Sequence, residues 1–326
     1  MDFQKIETLE WLADTREHIQ HLLQDGRLPH AFLILSKEGL GAALLADWIA
    51  AVVLCDNAAL RPCGGCPSCA LLRSESHPDL HRVDREEDAL QVKIDQVRGL
   101  IDALAYTSYR GGYKVGILNS AETLNASSAN AFLKTLEEPP ANTLLLLIAT
   151  PNHRLPATIA SRCQRLVLKT PTSEVARAWL LRHGVVEQGR DVVLRLSHGA
   201  PLRALAMDPV AAAALAREMA HSVEQLDARQ VDVSLVAERW LRSDFPRRLI
   251  WLENWITDRI RAAGAQGTSG VKTVDAVVLP GSLLKAKIRS LFELLDDTRE
   301  LKRLTGTSIN LQLAVESVLI KHFVRE

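Results

Sequence analysis

The sequence predicts an α/β region followed by an all-α region, on three observations. The first half alternates short apolar runs with helical patterns, as a parallel sheet with helices on both faces does. One of those runs, Thr143–Thr150, carries no polar alternation, as expected of a strand covered on both faces. After Leu168 the strand signal largely disappears, and from about Asp208 Ala, Leu and Arg recur with helical spacing.

Taken in chain order, the predicted strands are Ala31–Leu35, Leu80–Val83, Lys114–Leu118, Thr143–Thr150 and Gln164–Leu168. Helices are predicted near Ala42–Cys55, Ile94–Ala105 and Ser127–Glu138. The last starts at a capping Ser127 and stops at Pro139-Pro140, whose rings cannot continue a helix. Lys169–Ser173 reads as a short linker with an N-cap, and Val175–His183 and Asp191–Leu196 as helices of a small domain ending near Met207. Beyond it a helical bundle is expected, with Trp240, Trp251 and Trp255 as core anchors and Ala262–Gly270 as a flexible loop between helices. The expected domains are therefore 1–168, 169–207 and 208–326.

A chain of 326 residues is long enough for two or three domains with a sizeable core. Lys plus Arg equals Asp plus Glu, at 39 each, so there is no bulk basic field of the kind a protein gripping DNA alone would carry. Nucleic-acid contact is expected to be local or shared with partners. The charged start Met1–Glu7 lacks the apolar core of a signal peptide, and no apolar run reaches the roughly 18 residues of a membrane span. Of five cysteines, four are clustered, which without a secretory signal favours metal over disulfides. A soluble cytoplasmic protein with no membrane partner is expected.

Ser36–Ala43 lies between an apolar run and an apolar helical stretch, the setting of a Walker A loop, G-x-x-x-x-G-K-[ST]. Gly39 and Gly41 are present, Gly41 as the last motif glycine, but Ser36 replaces the first. Ala42 stands where a Lys would reach the β and γ phosphates, and Ala43 where a hydroxyl would hold Mg²⁺. A Walker B strand should end in Asp-Glu, yet Lys114–Leu118 is followed by Asn119-Ser120, and Glu122 lies two positions too late. Both halves of a hydrolytic apparatus are absent where they are expected.

Cys55, Cys63, Cys66 and Cys69 follow C-x₇-C-x₂-C-x₂-C, with Pro62, Gly64, Gly65 and Pro67 turning the chain. Four thiolates on a helix end and a knuckle suit tetrahedral Zn²⁺, and a closed Cys₄ set implies a structural role. A redox pair at Cys66-Pro-Ser-Cys69 would leave Cys55 and Cys63 unexplained. His77 and His81 are near enough to substitute as ligands, although His77-Pro78-Asp79 reads more simply as a loop end entering a strand. Ser161-Arg162-Cys163 follows the helical segment Leu155–Ala160, where a lone Arg is ordinarily a solvated helix-end residue.

Together these segments resemble the delta-prime family of bacterial DNA polymerase III clamp-loader subunits, of the AAA+ class. The carriers are His30-Ala31, the four-cysteine insertion, His77-Pro78-Asp79, the run Asn130 to Pro140 and Ser161-Arg162-Cys163. The stretch Glu137-Glu138-Pro139-Pro140 is shared with the loader's ATPase subunits; the degraded loop separates this chain from gamma/tau, and the cysteine knuckle and Ser-Arg-Cys element separate it from delta. The resemblance implies a P-loop-type five-stranded parallel sheet, a small helical lid and a C-terminal helical collar. It implies a rigid stator that binds no ATP and has no ATPase activity of its own, within the DNA-directed DNA polymerase (nucleotidyltransferase) holoenzyme. It also implies that Arg162, with Ser161 and Cys163 as its motif, acts as an arginine finger on ATP held by an adjacent gamma/tau subunit. Implied partners are the gamma/tau and delta subunits and, indirectly, the sliding clamp, primed DNA and the polymerase core. Arg203 falls near a second sensor position and is read as a surface or packing residue.

Two other readings stand beside this one. An enzyme with its own ATP turnover would use Lys37 in place of the missing Lys, and would bind Mg·ATP tightly. A zinc-dependent DNA binder acting alone would show steep salt dependence, against the neutral charge balance.

Overall fold

The computed structural model describes residues 5–86, 89, 91–151, 155–265 and 281–324. Five parallel strands, β1 (Ala31–Leu35), β2 (Leu80–Val83), β3 (Lys114–Leu118), β4 (Thr143–Ala149) and β5 (Gln164–Val167), form one sheet in the order β2-β3-β4-β1-β5. The arrangement agrees with the AAA+ expectation. β1 and β4, in the middle, are apolar on both faces, so helices must cover both. Gly116 of β3 is closely packed: a Cβ there would lie 2.9 Å from Leu104 Cδ1 and 3.0 Å from Leu145 Cδ2, so both Leu side chains would have to shift.

The helices of this half are α1 (Ala13–Gln24), α2 (Ala42–Leu54), α3 (Pro67–Arg73), α4 (Ile94–Ala105), α5 (Ala126–Glu137) and α6 (Ala157–Ala160). α2 is buried along most of its length, from Leu45 to Leu54 with Asp47 the exception. One face of the sheet closes over Leu100, Leu104, Phe132, Leu136, Ile159 and Cys163, which share a single core cluster with Leu33 and Leu145.

Three expectations change. The N-cap of α5 is Asn125, whose side chain accepts from the Ser128 amide at 2.8 Å, not Ser127. Asn125 has the extended conformation a cap requires, while Ser127 is already helical. Residues 5–24, for which no element was expected, form two short 3-10 turns and α1. Ala262–Ala265 continue a helix instead of opening a loop, as the Ala pair favours, and 266–270 lie outside the described residues.

The remaining helices are α7 (Ser173–Arg182), α8 (Glu187–Leu196), α9 (Pro201–Leu205), α10 (Pro209–Asp227), α11 (Val233–Arg242), α12 (Phe245–Ala265), α13 (Gly281–Leu304) and α14 (Leu311–Leu319). Two compact units result: Met1–Trp179 with Ala200–Arg203, and Leu180–Gly199 with Ala204–Glu326. In the second, Trp240 is buried at the centre of a cluster with Leu249, Ile256, Leu294 and Val315, and Trp251 and Trp255 pack half-buried against it. Arg248, also buried, donates both Nη atoms to Glu218 at 2.9 and 3.0 Å. α8 bends at Gly189, whose φ of +89° and close approach to the Pro209 carbonyl leave no room for a side chain.

Candidate functional site

The segment Ser36–Ala43 follows β1 directly and feeds α2, so the strand–loop–helix setting is present. Its backbone is tied down by protein. The Trp11 indole donates to the Leu40 carbonyl at 2.9 Å, and the Leu202 amide donates to the Gly39 carbonyl at 3.2 Å. Gly39 and Gly41 both have positive φ, +83° and +95°. A Cβ on Gly39 would sit 2.5 Å from Arg203 Cβ, and one on Gly41 would sit 2.8 Å from Leu9 Cδ1. Leu12 and Leu202 also crowd Gly41, at 3.4 and 3.5 Å. The Arg203 guanidinium lies 3.2 Å from the Glu38 carboxylate. The loop is thus packed by apolar side chains from residues 9–12 and 200–203. Neither contact was visible in the sequence, because each joins segments far apart in the chain.

At the end of β3, Asn119 Nδ2 donates to the Asp84 carboxylate. Glu122 does not reach that position; it sits in the following turn, where Thr150 Oγ1 donates to it at 3.5 Å and its other oxygen is buried without a hydrogen-bond partner among the described residues.

The four cysteines come together, all four Sγ lying within 4.8 Å of one another. Cys55 Sγ is 3.9 Å from Cys66 Sγ and 3.8 Å from Cys69 Sγ. Thiolates about 2.3 Å from a shared tetrahedral ion would be about 3.8 Å apart, so the donor set and its spacing fit such an ion. Cys55 caps the end of α2, and Cys66 is the N-cap of α3, accepting from the Cys69 amide at 3.4 Å. The amides of Gly65 and Cys66 lower the Cys63 thiol to about 6, whereas burial raises those of Cys69 and Cys55. Four thiolates here require a cation to offset that burial. His81 lies on β2, outside the cluster.

His77 is not a ligand. Its ring is buried, with Nε2 2.8 Å from Ser68 Oγ, and its Nδ1 accepts from the Asp79 amide at 3.1 Å. The Nε2 proton therefore points to Ser68, whose hydroxyl donates to the Leu54 carbonyl at 2.5 Å. Asp79, also buried, accepts from the amides of Tyr109 and Arg110 at 2.6 and 3.0 Å. Arg110 in turn donates to Asp56, which accepts from the Ser68 amide, both at 3.1 Å. His77-Pro78-Asp79 is a clip joining the cysteine knuckle, β2 and the loop after α4, a role that sequence spacing gave no sign of.

Arg162 stands between two buried anchors, Ile159 and Cys163, with its side chain about a third exposed (35%). Burial pushes the Cys163 thiol up to about 11, so this cysteine packs and does not react. Nη1 of Arg162 donates to the Thr158 carbonyl at 2.9 Å, and Nη2 to Glu137 Oε1 at 2.5 Å. Its place relative to the loop follows from register. β1 and β5 are parallel neighbours with Phe32 opposite Gln164 and Leu35 opposite Val167, so Arg162 precedes β5 at the N-terminal end of the strands while Ser36 leaves β1 at the C-terminal end. Five residues of strand separate those ends, about 16 Å at about 3.3 Å per residue.

Residues 12–172 match the family model described as DNA polymerase III, delta subunit. The DNA polymerase III subunit delta' of Pseudomonas aeruginosa is 32% identical over 299 residues, spanning 90% of this chain and 91% of its own length. That of Escherichia coli K12 is 31% identical over 325 residues, spanning 97% and 96%. DNA polymerase III subunit tau of Salmonella typhimurium is 35% identical over 167 residues, which make up 50% of this chain and 26% of tau.

Proposed function

This chain belongs to the DNA polymerase III delta-prime family, and from that premise we propose that it is the non-hydrolysing stator of a replicative clamp loader. It works with gamma/tau ATPase subunits and a delta subunit, and through them serves the sliding clamp, primed DNA and the polymerase core in the cytoplasm. It holds no ATP. Arg162 acts in trans, neutralising charge on the phosphoryl group that transfers in a neighbour's site. Residues 1–168 serve as the AAA+ module, 169–207 as a lid and 208–326 as the collar.

The observation that carries this reading is the register of β1 and β5. An Arg at the end of the strands opposite the loop has no path to its own loop, so its guanidinium serves another subunit or none. The packing of Gly39 and Gly41 by residues 9–12 and 200–203, with Ala42 and Ala43 lacking charge and hydroxyl, supports the absence of turnover. The cysteine cluster is assigned to one structural Zn²⁺, which would join α2 to α3 and supply no open coordination position.

The test is the DNA-stimulated ATPase of the assembled loader. Arg162→Ala is expected to lower its kcat by at least about tenfold with assembly intact, part of the roughly 10³–10⁵ an arginine finger supplies. Full activity would remove the trans role. The isolated chain is expected to show no ATPase activity and about one Zn per chain by metal analysis.

A further inference from the structure

We propose that Glu137 is the positioning residue for Arg162, holding the guanidinium in the orientation a neighbour's ATP requires. The inference rests on the reading of Arg162 as a finger in trans, and it gives a role to the Glu-Glu-Pro-Pro stretch that the loop and the cysteine cluster leave unexplained.

The placement of Glu137 is fixed from both sides. It is the last residue of α5, Glu138 turns out of the helix at φ −127°, ψ 72°, and Pro139 and Pro140 forbid continuation. Leu136 before it is buried in the same core cluster as Ile159 and Cys163, which flank Arg162. The end of α5 and the short α6 therefore share one rigid floor, and the two side chains meet above it at 2.5 Å. Thr158, one turn before Arg162, supplies the second restraint through its carbonyl.

Stability does not account for this pair. The side chains are 35% and 50% exposed, and an exposed pair of this kind contributes little to stability. Orientation does account for it. An unrestrained Arg side chain carries rotamer entropy, which would otherwise be lost on reaching the transition state. A guanidinium has five N–H donors. Glu137 engages Nη2, and Thr158 and, at 3.5 Å, Ser161 Oγ engage Nη1, which leaves Nε–H and the second Nη2 hydrogen able to meet phosphoryl oxygens while the restraints hold. Donors aimed in advance are what electrostatic stabilisation of a transition state needs.

The carboxylate also places a negative charge near the transferring phosphate, so its acceptor geometry, not its charge, is the useful property. That separates the variants. In the assembled loader, Glu137→Gln keeps an acceptor oxygen and is expected to hold kcat within about threefold of wild type. Glu137→Ala is expected to lower kcat about tenfold, as misplacement of a catalytic group does, with KM for ATP unchanged. Glu137→Asp falls one methylene short and is expected to slow kcat in the same direction, which decides the matter if the Ala variant assembles poorly. In an Arg162→Ala background, Glu137→Ala is expected to add no further loss. A slow Arg162→Ala loader with a fully active Glu137→Ala loader overturns the positioning role and leaves the finger standing. A faster Glu137→Ala loader overturns it too, by making Glu137 a competitor for the guanidinium. An Arg162→Ala loader of full activity overturns both readings at once.

Discussion

Replacing Asp79 by Ala should release the loop after α4 while leaving the sheet in place. Asp79 is only 3% exposed, and its carboxylate accepts from the Tyr109 and Arg110 amides at 2.6 and 3.0 Å. Its own backbone bonds, including Val115 N–H to the Asp79 carbonyl, survive the substitution. Hydrogen bonds to a charged group contribute about 1.5–3 kcal/mol each, which gives about 3–6 kcal/mol for two. Tyr109 and Arg110 are themselves exposed, so their freed amides find water, and the local cost falls to about 2–4 kcal/mol. At about 1.4 kcal/mol per tenfold, amide exchange at these two positions should accelerate by about 30- to 700-fold. Hydrogen–deuterium exchange resolved to the 106–113 peptide measures this directly, without assuming that a chain of two units unfolds in one step. Asp79→Asn retains one acceptor oxygen and should fall between. If exchange in Asp79→Ala stays within about threefold of wild type, the carboxylate does not hold the loop and the reasoning fails.

The neighbouring histidine gives a pH dependence of known sign. Burial lowers the His77 value below 6.5, so at higher pH the ring is neutral in both folded and unfolded chains and its contribution is at its maximum. As pH falls below 6.5 the unfolded chain takes up a proton that the folded one refuses, and stability drops. His77→Gln should flatten the fall in Tm between pH 7.5 and about 5.5; an unchanged slope would assign that fall to other groups. At the loop, Ala42→Lys with Ala43→Thr restores the missing chemistry but not the space, and calorimetry should find Mg·ATP no tighter than about 1 mM. Micromolar binding would mean that the side chains of Leu9, Leu12 and Leu202 yield readily.

What the sequence made legible was local. All five strands could be read because apolar runs are contiguous in the chain, and the cysteine cluster because its ligand spacing is short. The Pro pair after Glu138 marked the end of α5 for the same reason. What escaped was every contact whose two halves lie far apart. Leu9 and Leu12 are ordinary apolar residues until they are found on Gly41. Glu137 and Arg162 are two surface charges 25 residues apart until the shared floor of Leu136, Ile159 and Cys163 brings them together. The misplaced cap of α5 had a readable signal: Asn125 precedes the four small residues Ala126–Ala129, and Asn ranks among the strongest N-caps. The clip at His77 and Asp79 showed only as a motif, since its partners, Ser68 and the amides at 109 and 110, come from either side of β2.

The sheet itself separates two tasks that an active P-loop ATPase in a ring must combine. Because the strands are parallel, whatever follows β1 and whatever precedes β5 stand at opposite ends of the strands, however the side chains vary. Substitution at one end leaves the other untouched. Packing of the loop by Leu9, Leu12 and Leu202 is therefore compatible with an Arg162 whose position depends on Ile159, Cys163 and the end of α5. Gly39 and Gly41 are at positive φ with neighbours that a Cβ would strike, so side chains at either position would disturb the packed loop. Under the proposed function, a packed loop at one end of the strands and an Arg held at the other are compatible requirements, and together they would suit a fixed neighbour to a moving ATPase.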